Sequence, residues 1–578
     1  MPSPSPCHLL QPTVWKPAKV SGSSGGAPRI SGNPVVDALL YLRGIDAAAA
    51  DHFLKPKLAN LTDPFTLPNM AAAVERVTAA IKNNELIALY GDYDVDGVTS
   101  LTILKRGIEA LGGRIHCFLP HRMDEGYGLS ADGITRLLDE CQPDLVMAVD
   151  CGTSSIAEGR ILAEKTIDLV ILDHHQAGSE GTPDAVAIVN PQLGEDQRYL
   201  CSAGLAFKFL HALLKSAPEF RDQFDIRSML DLTATGTVAD LVPLEGDNRI
   251  LVKAGLKQLT ATKNHGLKAL LAVAGVKTSP VSSDIGFRIG PRLNAAGRLD
   301  TAMDALNLLT ADDPTTAQSI ASLLDTRNRD RQSLEKDVLD QALDQLRTSH
   351  PSTLPHAIVL ADERWHPGVV GIVASRIMRT YHRPTFIIGF DESGIGKGSG
   401  RSIAGIDLVA HIQQAMKHLI KGGGHAAAAG ISIEKHQVDA FRDALCASIS
   451  TADDALFHPF ITPDIELTGD QLSLDLLDDL EHVAPYGMGN PEPLFCLREA
   501  SCIGEPRALK DKHWKFRITD QSGGSAVDCI WFSGVERLPE LPLGEWDLVF
   551  NVQRNEWRGQ QSIQLLIRAL KPSVEIRD

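Results

Sequence analysis

None of the nine cysteines, at positions 7, 117, 141, 151, 201, 446, 496, 502 and 529, is paired as CxxC. That scatter excludes a zinc ribbon and gives no disulfide framework, so reduced thiols and a cytoplasmic setting are expected. No apolar run approaches the roughly 18 residues that span a bilayer, and the opening MPSPSPCHLLQPTVWKP lacks the basic and apolar blocks of a secretory signal. Aromatics are scarce, 5% of 578 residues, although 43% of the chain is hydrophobic. An Ala/Leu/Val-rich α/β architecture fits that balance, with length for about three or four domains. A basic surface is missing too. The net charge of −17 argues against a protein that coats nucleic acid through diffuse positive charge. It leaves open a local channel in which cations offset clustered acids.

Acids are where the chain is most informative. The apolar run DLVIL ends in Asp173-His174-His175, LIALY runs into GDYDVDG with Asp92, Asp94 and Asp96, DLVMAV ends at Asp150, and TATGTVADLVPL adds Asp240. Any one of these is by itself an ordinary cap or turn former. Several strand ends carrying acids are different, because in an open α/β sheet those ends share one crevice. Carboxylates so crowded raise one another's pKa unless cations sit among them. A phosphate-processing metal site is the economical reading. Carboxylate-rich shells with one imidazole favour Mn²⁺ or Mg²⁺ over Zn²⁺.

Patterning predicts the following organisation. Residues 1–30, rich in Pro, Ser and Gly, form a flexible leader. Residues 31–312 hold N-terminal helices and then strands alternating with helices (LIALY, RIHCFL, DLVMAV, DLVIL, AVAIV), which indicates a parallel sheet. Residues 313–350 form a connecting helix with Ile320, Leu323, Leu324, Leu334, Val338 and Leu346 on one face and RNRDRQ as a solvated face. Residues 351–452 form a smaller α/β domain, and 453–578 a β-barrel of short strands. Trp514, Phe516, Trp531 and Phe532 either stack bases or fill the barrel core. GGGHAAAAG is either a close-approach surface or tight helix packing.

The set GDYDVDG, VDCG, DHH and GTVADLVPL, in that order, resembles the DHH phosphoesterase superfamily. GRSIAGIDL and GGGHAAAAG resemble its companion DHHA1 domain. With IGPRLNAAGRL, WHPGVVGIVASR, HVAPYGMGNPEP and a C-terminal barrel read as an OB-fold, the chain is similar over about residues 60–570 to the superfamily's single-strand-specific 5′ exonucleases. The resemblance implies two divalent cations, Mn²⁺ or Mg²⁺, with Asp94, Asp96, Asp150, His174 and Asp240 as ligands and Asp150 bridging. It implies His175 and Arg298 beside Asp150 in catalysis. Arg122, Ser399 and Arg401 would take a 5′-phosphate, and Arg292, Asn294 and His425 would contact the strand. Small phosphatases of the superfamily carry a His where this chain has Tyr90, so either Asp92 or water completes the first shell. The implied substrate is single-stranded DNA, with a single-strand-binding protein and a helicase as partner classes and no membrane. A phosphodiesterase for short oligonucleotides or cyclic dinucleotides, and a non-catalytic DNA-binding scaffold, are the competing readings. The barrel disfavours the first and the intact acids disfavour the second.

Overall fold

The computed structural model describes residues 13–20, 29–120, 128–276, 279–299, 302–391 and 393–573, without the side chains of 296, 298 and 299. Arg122 and the side chain of Arg298 fall outside the described residues. The chain divides into two units, one of Ala47–Arg329 with Glu481–Glu492, the other of Met1–Asp46, Asp330–Leu480 and Pro493–Asp578.

The first unit is built on five parallel strands: β1 (Leu86–Gly91), β2 (Arg114–Phe118), β3 (Leu145–Val149), β4 (Asp168–Leu172) and β5 (Ala187–Val189). Their order is β2-β1-β3-β4-β5, so the direction of winding reverses between β1 and β3. In such sheets the crevice outside the strand carboxyl ends at that reversal is the ligand site. Parallel strands buried on both faces read as continuous apolar runs. Here Ile87, Leu89, Leu145 and Met147 enter one core, while Ala88, Tyr90, Val146 and Ala148 enter the other. Helices α1 (Val95–Ala110), α2 (Ser202–Ser216) and α3 (Leu230–Ala239) supply much of the first core. A five-residue π-turn, Ile285–Ile289, leads into α4 (Gly290–Leu299).

Helix α5 (Pro314–Ser349) fulfils the connecting-helix expectation, with two corrections. Leu323 is exposed. The RNRDRQ run is a solvated face only in part: Arg329, Asp330 and Gln332 are exposed, but Asn328 and Arg331 are buried, as are the neighbouring Asp325 and Glu335. Charges are tolerated there because they are paired. Asp325 accepts from Arg292 and Arg329, Arg327 pairs with Asp304, and Glu335 pairs with Arg376.

In the second unit, β6 (Ile358–Asp362), β7 (Thr385–Phe390), β8 (Ile395–Arg401), β9 (Lys421–His425) and β10 (Ala428–Glu434) form a mixed sheet in the order β9-β10-β8-β7-β6. Helix α6 (Pro367–Tyr381) packs with one core of this sheet, and Leu408–Ala415 and Val438–Ile449 with the other. GGGHAAAAG is therefore neither loop nor helix but a β-hairpin. Its Gly-Gly-Gly-His segment is an edge strand.

The barrel strands β11 (Phe495–Leu509), β12 (His513–Thr519), β13 (Val527–Trp531), β14 (Glu545–Trp557) and β15 (Gln560–Pro572) close in the ring β11-β12-β13-β15-β14-β11. The β13–β15 pairing is the parallel one. This is the five-stranded Greek-key closure of an OB-fold. Phe516 and Trp531 fill its core, Trp514 is half-buried with its indole N–H on Leu538 O at 2.9 Å, and Phe532 is exposed.

Two boundaries shift. Val14–Trp15 pairs in parallel with Phe460–Ile461, so this part of the expected leader is ordered. The first helix, Pro34–Leu42, groups with the second unit rather than with the parallel sheet. Among the described residues no helix is long and apolar enough to cross a membrane.

Candidate metal centre

The centre is assembled from the ends of three adjacent strands and the starts or ends of three helices. After β1 the chain turns sharply through GDYDVDG. A Cβ on Gly97 would lie 2.4 Å from the Asp92 carbonyl oxygen, so only glycine permits this turn. The turn puts Asp92 at the strand end, makes Asp94 the N-cap of α1 with its carboxylate accepting from Gly97 N at 3.0 Å, and sets Asp96 in the first helical turn. Asp96 accepts from Ser202 N at 2.7 Å and Ala203 N at 2.9 Å, at the positive end of α2. Asp150, after β3, adopts a left-handed φ of 64° and accepts from Ser202 Oγ at 2.9 Å. Asp240 caps the C-terminal end of α3. That helix approaches closely because Gly236 has no Cβ, which would fall 2.4 Å from Thr99 Oγ1 and 2.5 Å from Ala203 Cβ.

His174 points its Nε2 among three of these acids, 3.3 Å from Asp150, 3.6 Å from Asp240 and 3.8 Å from Asp96. This nitrogen and Asp240 Oδ2 are both buried and make no hydrogen bond. Donor atoms converge within 4.8 Å in three groups: Asp92, Asp94 and Asp150; Asp150, His174 and His175; and Asp96, Cys201 and Asp240. Asp150 belongs to two of them. Burial, and then the neighbouring acids, push Asp94, Asp150 and Asp240 above the usual carboxylate range. Burial lowers the His174 imidazole pKa, which favours the neutral form that a metal ligand must take. Buried donors of this kind, mutually repelling and short of hydrogen bonds, fit divalent cations. Asp92, Asp94 and Asp150 would hold one ion, and Asp96, Asp150, His174 and Asp240 a second.

His175 is held differently. Its Nδ1 lies 2.7 Å from Asp173 Oδ1, which also accepts from the backbone N–H of His174 and His175, while Asp173 Oδ2 accepts from Thr153 N at 3.0 Å. Burial opposes ionisation of Asp173, but the hydrogen bond and charge of His175 with those from Thr153 hold it well below its ordinary value. Burial likewise opposes a charged His175, and the Asp173 carboxylate outweighs it, raising the imidazole pKa. The ring is oriented, with Nε2 as its remaining polar atom. Asn190 braces this loop by donating to His175 O at 2.9 Å and Thr153 Oγ1 at 2.8 Å.

The sequence reading placed Asp94, Asp96, Asp150, His174 and Asp240 together, and so does the structure. It left Asp92 open, counted Asp173 among the strand-end acids without a role of its own, and gave no part to Asn190 or Ser202. The acid of the DHH triplet was a visible signal for Asp173, whereas Ser202 has no local signature. Tyr90 does not reach toward the acids. Its side chain lies in the other core, ring centroid 4.9 Å from Phe118, with its hydroxyl donating to Gly128 O at 3.2 Å. Arg292 is bound by Asp325 at 2.9 Å and donates to Arg288 O at 2.6 Å, and Asn294 is half-buried on α4.

Ser399, Arg401 and His425 lie in the second unit. Lys397, Ser399 and Arg401 share one face of β8. Opposite Ser399 and Arg401 stand Gly430 and Ala428 of β10, and opposite those Gly423 and His425 of β9. A Cβ on Gly423 or Gly430 would meet nothing within 4 Å, so this hairpin face is bare backbone in solvent. Arg401 donates to Ser399 Oγ at 2.9 Å and to Gly400 O at 2.8 Å, and α6 lies close, a Cβ on Gly371 falling 3.0 Å from Ser399 Oγ. Burial alone depresses the Arg401 pKa, and no acid pairs with it among the described residues. His366 caps α6, its Nδ1 accepting from Gly368 N at 3.0 Å.

Three family descriptions match the chain in order: the DHH family, N-terminal domain, over residues 86–237; the DHHA1 domain over 354–451; and the RecJ OB domain over 463–569. The single-stranded-DNA-specific exonuclease RecJ of Dickeya dadantii is 36% identical over 546 residues, 90% of this chain and 93% of its own length. That of Bacillus subtilis is 34% identical over 93% of this chain and 67% of its length. The crystal structure of RecJ with Mn²⁺ from Thermus thermophilus superposes with a TM-score of 0.81 at 31% identity, covering 97% of this chain and 80% of that one. Its Mg²⁺ complex gives 0.74 at 30% identity, covering 97% and 79%. A parallel sheet with clustered acids at its winding reversal, followed by a DHHA1 sheet, defines a metal-dependent DHH phosphoesterase. The chain belongs to the RecJ family.

Proposed function

We propose that this protein is a metal-dependent 5′→3′ exonuclease that degrades single-stranded DNA to 5′-mononucleotides, acting in the cytoplasm in recombination and repair. The observation that carries the reading is the carboxylate–imidazole cluster at the sheet's winding reversal, with Asp150 common to two ligand groups, in a chain similar to RecJ over nine-tenths of its length. Bound Mn²⁺ or Mg²⁺ ions would supply an activated water and charge stabilisation for an in-line displacement. The protein's own part is to fix the ligands' spacing, through the Ser202 hydroxyl on Asp150 and the α2 N–H groups on Asp96. Asp173 orients His175 and favours its protonated form, suited to donating a hydrogen bond to the scissile phosphate or its leaving oxygen.

Arg401 and Ser399, with Arg122, are assigned to the 5′-terminal phosphate. An arginine burdened by burial and lacking an acid is suited to an incoming anion, which it can grip with its planar fork. The bare Gly423/Gly430 face beside them would let a strand's backbone approach, with His425 at its rim. Among the described residues, Arg292 directs three of its five N–H donors to Asp325 and Arg288 O, and the other two suit a phosphate. Asn294 and Arg298 on the same helix complete this contact set. The OB barrel favours a polymer over a dinucleotide substrate. A single-strand-binding protein and a helicase are the partner classes this role implies.

The test is digestion of 5′- and 3′-end-labelled single strands with Mn²⁺, Mg²⁺ or EDTA. Immediate release of the 5′ label as mononucleotide, abolished by EDTA, is expected. Early loss of the 3′ label, or hydrolysis that survives EDTA, would overturn the reading.

A further inference from the structure

The π-turn Ile285–Ile289 buries its first and last residues completely and turns Phe287 out to solvent, 79% exposed. A π-turn inserts an extra residue into a helical path, and such turns recur at functional sites. This one ends against the two helices that carry Asp94, Asp96 and Asp240. A Cβ on Gly290, directly after it, would lie 3.8 Å from Ala239 Cβ and 4.0 Å from Val95 Cγ2. Ala239 precedes Asp240, and Val95 separates Asp94 from Asp96. A second exposed apolar residue, Leu241, follows Asp240 directly with a left-handed φ of 63°.

Isolated surface apolar residues are common and by themselves mean little. Phe287 differs from the other exposed phenylalanines in what its ring meets. Phe460 lies under Lys16, Phe65 under Lys215, and Phe532 packs edge-on against His513. Phe287 is the most exposed of the four, and among the described residues its ring has no aromatic or cationic partner. Its neighbour Gly286 adds no side chain, since even a Cβ there would meet nothing within 4 Å. The ring is therefore uncrowded on its Gly286 side, on a backbone held by the buried Ile285 and Ile289.

We propose that Phe287 is a stacking platform for a nucleobase of the bound strand beside the scissile phosphate. The occupant follows from the position. What comes to the acids is a phosphodiester, and the flat apolar group attached to it is a base. Stacking on an aromatic face accepts any of the four bases, which suits an enzyme that advances along a strand regardless of sequence. It also requires an unpaired base. The proposal rests on the exonuclease reading for its substrate and adds a residue that senses bases rather than phosphates.

The experiment compares the full chain, in Mn²⁺, with its Phe287→Ala and Phe287→Tyr variants. Binding is followed by fluorescence anisotropy to 5′-phosphorylated strands whose first linkages are phosphorothioates, which slow cleavage during the measurement. One strand carries ordinary bases; the other has abasic sites at its first several positions. Phe287→Ala should weaken the ordinary strand about tenfold and leave the abasic strand unchanged, while Phe287→Tyr keeps the base preference. Unchanged melting temperatures would set aside a folding defect. Equal loss on both strands, or no loss on either, would overturn the proposal. Failure of the exonuclease reading would appear separately, as wild-type chain that releases no 5′ label.

Discussion

Asp150 is buried in a left-handed backbone conformation, accepts a hydroxyl from α2 and faces four other acids. Its electrostatics fix the sign of a measurable pH effect. Burial and then Asp96, Asp94, Asp92 and Asp240 raise its folded-state pKa above the unfolded value. Between those two values the native state holds a proton that the unfolded state has released. Its contribution to stability is therefore whole below the unfolded pKa and lost as pH rises toward the folded one. Asp94 and Asp240 act in the same direction. In EDTA, Asp150→Asn should melt higher than wild type, by a margin that widens as pH rises, and in Mn²⁺ the order should reverse. Calorimetry across pH with and without metal checks this; a pH-independent difference in EDTA would count against it. The same variant should lose hydrolysis essentially completely while still binding single strands. Asp173 calls for a separate test, because it acts through His175. Asp173→Asn should lower kcat about ten- to a hundredfold with little change in KM. It should also move the alkaline limb of the pH–rate profile downward, since the carboxylate is what raises the His175 pKa. A profile that keeps its shape would reduce Asp173 to a structural role.

At the scale of elements, legibility followed the physics of burial. The five parallel strands were readable because both faces are buried, which leaves unbroken apolar runs such as LVMAV. The clustered acids were readable because they interrupt those runs at one end. GGGHAAAAG was harder: a hairpin of small residues has no alternation of apolar and polar side chains, since its face is backbone. The RNRDRQ run misled because pairing with Asp304 within the fold is a tertiary fact, invisible in a local charge pattern. The hydrogen bonds of Ser202 to Asp150 and Asp96 join residues 52 and 106 apart in sequence, and no window of sequence contains them. The hairpin yields its own prediction. Because a Cβ on Gly430 meets open space, Gly430→Ala should leave the melting temperature within error. If the strand passes over this face, the added methyl should raise KM severalfold on single-stranded DNA without lowering kcat. Unchanged steady-state constants would remove the hairpin from the DNA path.

For the molecule as a whole, a net charge of −17 means that affinity for a polyanion rests on particular surfaces, and the OB barrel is the one proposed to hold a long strand. Removing it calls for a cut later than the sequence-derived boundary at 453, because Phe457 is buried in the core of the DHHA1 sheet and Glu481–Glu492 belong to the parallel-sheet unit. A chain ending at residue 492 should lose affinity for long strands far more than it loses kcat on a short oligonucleotide at saturation, since remote binding energy appears mainly in KM. Equal losses on both substrates, from a folded truncation, would argue against a DNA-binding barrel. The metal centre obeys a different constraint. Its candidate ligands are spread from Asp92 to Asp240, and Asp96 is positioned by N–H groups 106 and 107 residues downstream. A chain emerging from the ribosome cannot close this centre until about 240 residues are free to dock, and contacts so distant in sequence form late. A nascent or truncated fragment thus carries the acids without the scissors, and the cell is spared a half-made nuclease.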